Sequence, residues 1–188
     1  MASNMPKYTR NTSAPAQIKM LLGQYQAKLG LKSRTSIPSK FRSELGKDIV
    51  IAKWYESCLV VVPKRKLENF LNRLTGRKDS ITTPIRDTDR FILGSAYEIE
   101  LDNQGRFVIP RALREYANLR ENLIILGLGD RAEIWDEANW RKHEQALSQN
   151  APQMLDFLTY ERQATNLKIM KSTNVENKSH TSPNRRGN

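Results

Sequence analysis

The chain has 188 residues, 38% of them hydrophobic, and 31 Lys and Arg set against 20 Asp and Glu give a net charge of +11. No apolar run approaches the ~20 residues that span a bilayer, one cysteine forbids an internal disulfide, and one Cys with two His argues against a metal site. A mean hydropathy of -0.64 and a pI near 9.9 describe a chain that stays in water and suits a polyanionic partner, with solubility charge and basic tails as the bland alternative.

Residues 1–18 mix Ser, Thr, Asn, Pro and Lys without periodicity and lack the apolar stretch of a signal peptide, so a flexible arm on a cytoplasmic protein is expected. From Leu21 the residues alternate loosely, Leu22, Gln24, Gln26 and Lys28 against Leu21, Tyr25, Ala27 and Leu29, which predicts a strand. Gly30 to Ser33 breaks it, Arg34 to Ile37 resumes it, and Pro38 starts a helix at the position where its missing N–H costs nothing. Strands follow at Ile49 to Ala52 and Leu59 to Val62, and Pro63 opens a helix with Leu67, Phe70, Leu71 and Leu74 on its apolar side. These elements make a first module over 19–75, followed by a linker over 76–93 with a short helix from Thr83-Pro84 to Gly94.

The second module, 94–148, runs through the same series. Strands are predicted at Ala96 to Leu101, Arg106 to Ile109, Leu123 to Leu126 and Ala132 to Trp135, with a helix over Pro110 to Ala117. Asp136 is a good N-cap for a helix to Leu147, a further helix is expected over 149–170, and the polar tail 171–188 has too little apolar area to offset its ordering entropy and is expected to be disordered and basic. Charge is uneven: residues 21–70 carry ten basic and four acidic side chains, residues 101–150 seven and eight.

The repeat is explicit at the centre of each module. Leu101 to Ala117, LDNQGRFVIPRALREYA, aligns without a gap to Leu29 to Leu45, LGLKSRTSIPSKFRSEL, with Arg34 on Arg106, Ile37 on Ile109, Pro38 on Pro110 and Arg42 on Arg114 at a separation of 72. These residues, with GLGDRAEIWDEANW after them, resemble the MraZ family. The second copy keeps the D-x-x-G-R signature as Asp102, Gly105 and Arg106, whereas the first has Gly30 for the Asp and Ser33 for the Gly and retains Lys32 and Arg34. The resemblance implies an α+β, mainly β fold of two tandem β-β-α-β-β swapped-hairpin half-modules of AbrB type sharing one pseudo-twofold core, with additional helices. It further implies a DNA-binding transcriptional regulator of the division and cell-wall gene cluster, assembled as a homo-oligomeric ring.

The candidate DNA-binding residues are Lys32, Arg34, Lys40, Arg42, Gly105, Arg106, Arg111 and Arg114. A glycine at the bend permits close approach of backbone to a partner, and arginine supplies an always-charged fork suited to phosphate or guanine. The structural alternative stays open, in which Asp102 bonds the turn backbone and pairs with Arg106 to make a well-built corner. Arg34, without an acidic residue at Gly30, is expected to be freer than Arg106. The basic residues of the motif helices can extend the surface or be ordinary solvated helix charges.

Gly127-Leu128-Gly129-Asp130 lacks the Gly-Lys-Ser/Thr of a phosphate loop and reads as a turn, and no H-E-x-x-H, C-x-x-C or G-x-S-x-G occurs. Trp54, Trp135 and Trp140 read as packing residues rather than base-stacking platforms. The expected partner is double-stranded DNA carrying short direct repeats, matched by subunits joined head to tail in a ring, in the cytoplasm and at the nucleoid. Neither a catalytic site, a cofactor, a small-molecule substrate nor a membrane is expected. The competing reading is an antitoxin-like or scaffold module of the same fold that binds a protein chain.

Overall fold

The computed structural model describes residues 20–76 and 82–179, so the expected arm over 1–18, part of the linker and the last residues of the tail lie outside the described residues. Residues through Glu137 form one compact unit and those from Ala138 a second. In the first unit the elements are β1 (Leu21–Lys28), β2 (Arg34–Ser36), α1 (Ser39–Leu45), β3 (Asp48–Trp54), β4 (Cys58–Pro63), α2 (Leu67–Thr75) and α3 (Thr83–Ile92). They are followed by β5 (Tyr97–Glu100), β6 (Arg106–Val108), α4 (Arg111–Tyr116), β7 (Asn122–Gly129) and β8 (Ala132–Asp136), while α5 (Glu137–Ser179), from its second residue on, makes up the described part of the second unit.

The fold is α+β, with a six-stranded sheet in the order β1-β7-β8-β4-β3-β5, antiparallel at every pairing, and a separate two-stranded ribbon of β2 and β6. Most pairings cross between the two sequence copies. β1 of the first lies on β7 of the second, from Leu21 opposite Gly129 to Lys28 opposite Asn122. β5 of the second lies on β3 of the first, from Asp48 opposite Glu100 to Ile51 opposite Tyr97. β4 and β8 meet at the centre, Val60 opposite Glu133.

One apolar cluster accordingly draws on both copies at matching positions: Ile37 and Ile109, Phe41 and Leu113, Leu45 and Ala117, Ile49 and Leu123, Ile51 and Ile125. The copies fill their shares differently. Phe41 and Leu45 are larger than their counterparts Leu113 and Ala117, and the Phe41 ring is accommodated at Gly127, where a Cβ would fall 2.6 Å from that ring and 2.5 Å from the Leu21 backbone. A side chain there would push β1 off the sheet.

Several boundaries differ from the pattern read in the sequence. Pro38 and Pro110 stand one residue before α1 and α4, with extended ψ of 137° and 141°, and their carbonyls accept the first bonds, from the N–H of Phe41 at 2.9 Å and of Leu113 at 3.0 Å. The ring fixes φ in a range that suits either position, and the chain still has to leave the ribbon extended at this point. Pro63 ends β4, and a short 3-10 turn over Lys64–Lys66 separates it from α2. The two helices and part of the polar tail expected after Asp136 run together as α5, which continues to Ser179 with Pro152 inside it. No glycine separates Leu147 from Pro152, and the proline forgoes only the bond to the Ser148 carbonyl, so the backbone can continue helical on both sides. Asp136, next to α5, uses its carboxylate on Arg120, accepting from the backbone N–H at 3.2 Å and from Nε at 3.0 Å.

No described helix is long and apolar enough to cross a membrane, and no cluster of three metal-ligating side chains occurs among the described residues. Trp54 and Trp135 are buried in the first unit, as their positions in apolar strands lead one to expect.

Candidate nucleic-acid interface

The ribbon places the two copies of the motif side by side. Its register sets Arg34 opposite Val108, Thr35 opposite Phe107 and Ser36 opposite Arg106. Because successive side chains alternate between faces, Thr35 and Phe107 are buried while Arg34, Ser36, Arg106 and Val108 point away from the core. Thr35 and Phe107 are themselves 72 residues apart, so the ribbon has a local pseudo-twofold axis between them. The flanking bonds repeat about that axis: the Ile37 N–H donates to the Gly105 carbonyl at 2.8 Å, and the Ile109 N–H donates to the Ser33 carbonyl at 2.9 Å.

Asp102 organises one end of the ribbon. Its Oδ1 accepts the backbone N–H of Gln104 and of Arg106, each at 2.9 Å, an Asx-type turn that closes the loop. Its Oδ2 accepts Arg106 Nε at 2.7 Å and, across the ribbon, Arg34 NH2 at 3.4 Å. The backbone N–H of Arg106 and then its guanidinium hold the Asp102 carboxyl down from 3.8 to about 2. It is therefore ionised throughout the neutral range.

The loss of an acidic residue at Gly30 does not leave Arg34 without a carboxylate, because the crossed pairing brings it to the second copy's aspartate, but at 3.4 Å it is held more loosely than Arg106 at 2.7 Å. A shallow depression of about 410 Å³ is lined by Arg34, Asp102, Asn103, Arg106 and Val108 together with the Lys47–Glu100 pair. Two arginines share one carboxylate there, each with about half of its side chain exposed. The carboxylate orients the Arg106 fork through Nε, which leaves its terminal nitrogens for a partner.

The helix arginines of the motif do something else. A Cβ on Gly105, whose φ is +71°, would collide with Arg42 Nε and Cδ, and Arg42 Nε also donates to the Ile37 carbonyl at 3.2 Å. At the related position, Arg114 NH1 donates to Ser33 Oγ at 2.9 Å. Each motif helix therefore braces the loop of the other copy. Gly105 makes room for the brace, and Ser33 instead supplies a hydroxyl for it to hold.

Lys32 is exposed at the tip of the first loop. Lys40 lies on α1 with Nζ 6.0 Å from the Tyr25 ring, and Arg111 pairs with Glu115 one turn on at 2.6 Å. The structure thus gathers Arg34, Gly105 and Arg106 around Asp102, assigns Arg42 and Arg114 to the loops, and leaves Lys40 and Arg111 on the outer faces of their helices. Reading the sequence missed Val108 and the Ser33–Arg114 bond. The constant offset of 72 was the available signal, since crossed pairing would put each helix arginine beside the other copy's loop.

Residues 92–158 match the family model described as "MraZ protein, putative antitoxin-like". A protein of Oenococcus oeni named "Transcriptional regulator MraZ" is 40% identical over 144 residues, covering 74% of this chain and 97% of its own. The chain belongs to the MraZ family. A Leuconostoc citreum relative of the same name is 38% identical over 146 residues, covering 73% of this chain and 99% of its own, and one from Thermoanaerobacter is 37% identical over 129 residues, covering 66% and 86%. The matched residues 92–158 take in β5 to β8 and the motif helix α4, and so the intact second copy of the motif.

Proposed function

We propose that this chain is a sequence-specific DNA-binding transcriptional regulator whose reading surface is the β2/β6 ribbon with its two loops. The observation that carries the reading is the outward pair Arg34 and Arg106 on a short two-stranded ribbon, held by one ionised carboxylate. A ribbon of this kind fits the major groove, and guanidinium forks serve phosphate and guanine alike. Membership in a family whose relatives are named transcriptional regulators supports it. In this reading the crossed strands form two tandem AbrB-type swapped hairpins, and Lys32, Lys40 and Arg111 extend the basic surface. The protein works in the cytoplasm, at the nucleoid, without catalysis.

We further propose that subunits assemble head to tail as a ring and bind short direct repeats upstream of the division and cell-wall gene cluster. One chain offers two related but unequal loops, so its own pseudo-symmetry is a poor palindrome reader, whereas a heterologous ring repeats one orientation. Weak contacts then add through effective concentration.

Titration of binding against salt tests the surface. Each neutralised phosphate adds about -0.9 to the slope of log K on log salt, so Arg34→Ala and Arg106→Ala should each lower its magnitude by about one. Unchanged affinity and slope in both variants would remove the ribbon from the interface. Repeats spaced by about one helical turn, roughly 10 base pairs, should bind far better than one repeat, and inserting about half a turn should abolish the gain.

A second reading, an antitoxin-like or scaffold module, is favoured by one feature: α5 exposes Met154, Leu155, Phe157 and Leu158 close together, apolar anchors of the kind a partner chain would cover. Co-purification of nucleic acid that salt removes supports the first reading, and a stoichiometric protein partner without nucleic acid supports the second.

A further inference from the structure

The two ends of the ribbon are related by the repeat yet differ in chemistry. Ser36, with its hydroxyl, lies opposite Arg106, and the apolar Val108 lies opposite Arg34. The first loop carries Leu31 where the second carries Asn103, an amide that lines one depression with both arginines. Leu31 is 94% exposed, more than any other large hydrophobic side chain among the described residues, and Val108 is 51% exposed.

The backbone differs in step. The second loop turns on Gly105 at φ +71°, whereas the first turns on Lys32 and Ser33, both at φ +59°. Two successive L-residues in the left-handed region are unfavourable, and such strain persists only where the surroundings hold it. Here the Ser33 carbonyl accepts from Ile109 N–H, and its hydroxyl is held by Arg114. The loop is therefore fixed to the Val108 end of the ribbon, with Leu31 and Lys32 adjacent at its tip and Ser33 joining them to the Arg34 strand.

An apolar side chain in a basic setting on a groove-sized ribbon fits one feature of duplex DNA. The thymine 5-methyl is the apolar group that bases present in the major groove. We infer that Leu31, with Val108 opposite Arg34, reads thymine methyl groups in the major groove, while Arg106, with Asn103 and Ser36, reads hydrogen-bonding base edges. This rests on the DNA-binding reading above and gives the two loops different chemistry within one site.

The test uses the full chain and a duplex it selects from a random-sequence pool, with thymines replaced one at a time by deoxyuracil, which lacks only the methyl. Wild type should lose about fourfold in affinity at one or two thymines, the factor that burial of a methylene-sized group carries. Leu31→Ala should bind the thymine and deoxyuracil duplexes equally at the Leu31 position, with an unchanged salt slope. Since Leu31 is almost wholly exposed, an unchanged melting temperature should accompany the change.

Indifference of wild type to every deoxyuracil overturns the inference, as does a Leu31→Ala variant that keeps the full sensitivity. Equal weakening on both duplexes, with unstacking reported by a neighbouring 2-aminopurine, would make Leu31 a wedge between base steps and overturn it too. If no duplex is retained at all, the DNA-binding reading fails and the inference with it. If Arg34→Ala and Arg106→Ala alter binding while deoxyuracil does not, only the inference fails.

Discussion

The first and second loops occupy equivalent places on one ribbon and solve the same bend by different means. In the second, a glycine takes the left-handed conformation and leaves space into which Arg42 packs, while Asp102 closes the turn on itself. In the first, the aspartate is gone, two L-residues take the strained angles, and the serine hydroxyl replaces empty space as the seat for Arg114. A duplicated module can therefore lose two of the three residues of its signature in one copy, provided the other copy's residues reach across to replace them. Arg34 shows this directly, since its carboxylate partner is Asp102.

The difference between the copies can be broken at several points. The largest effect is expected in the core beneath the loops. Phe41, fully buried and seated over Gly127, carries volume that its counterpart Leu113 lacks, so Phe41→Ala should cost about 3–5 kcal/mol in urea unfolding. A cost no larger than that of a surface substitution would mean that the asymmetric packing is not what seats β1.

Next comes the transfer of one loop's solution to the other. Gly105→Ser imitates the first loop but adds a Cβ at positive φ against Arg42, and should cost about 2 kcal/mol or more in the same measurement. If the variant is as stable as wild type, the brace at Gly105 is not close-packed.

Asp102→Asn removes a contribution that is present at neutral pH and vanishes in acid. The native carboxyl titrates at about 2 rather than 3.8, so its contribution is fully present above about pH 4 and is lost as pH falls through about 2. The variant should lack that part of the acid destabilisation, seen as a shallower fall of melting temperature between those values. Identical acid profiles would mean that the Arg106 contacts do not persist in solution.

Ser33→Gly should change least, within about 0.5 kcal/mol, because relief at a positive φ is offset by the lost hydroxyl bond to Arg114 and by the added freedom of the unfolded chain. A larger loss would make the Ser33–Arg114 bond the main anchor of the first loop.

Much of this protein was legible locally. Alternating and apolar runs marked most strands because a half-buried strand must alternate and a covered one need not, and the 72-residue offset showed the duplication before any contact was known. Arg34 and Arg106 stood out for the same reason, as equivalent residues in a motif with a glycine bend in one copy. Pro152 misled, since a proline marks a lost hydrogen bond rather than an obligatory end of a helix.

What only the tertiary structure decided is which copy each residue serves. Spacing along the chain says nothing about whether β1 returns to its own module or crosses to β7, because that choice rests on the long-range fit of Leu21 and Phe41 around Gly127. Once the strands cross, Arg34 meets Asp102, Arg42 lies on Gly105 and Arg114 holds Ser33, all between residues about 60 to 80 positions apart. Sequence determined the kinds of side chain available at each end of the ribbon. Packing across the pseudo-twofold axis determined their partners, since a guanidinium bonds whichever carboxylate or hydroxyl the fold brings within reach.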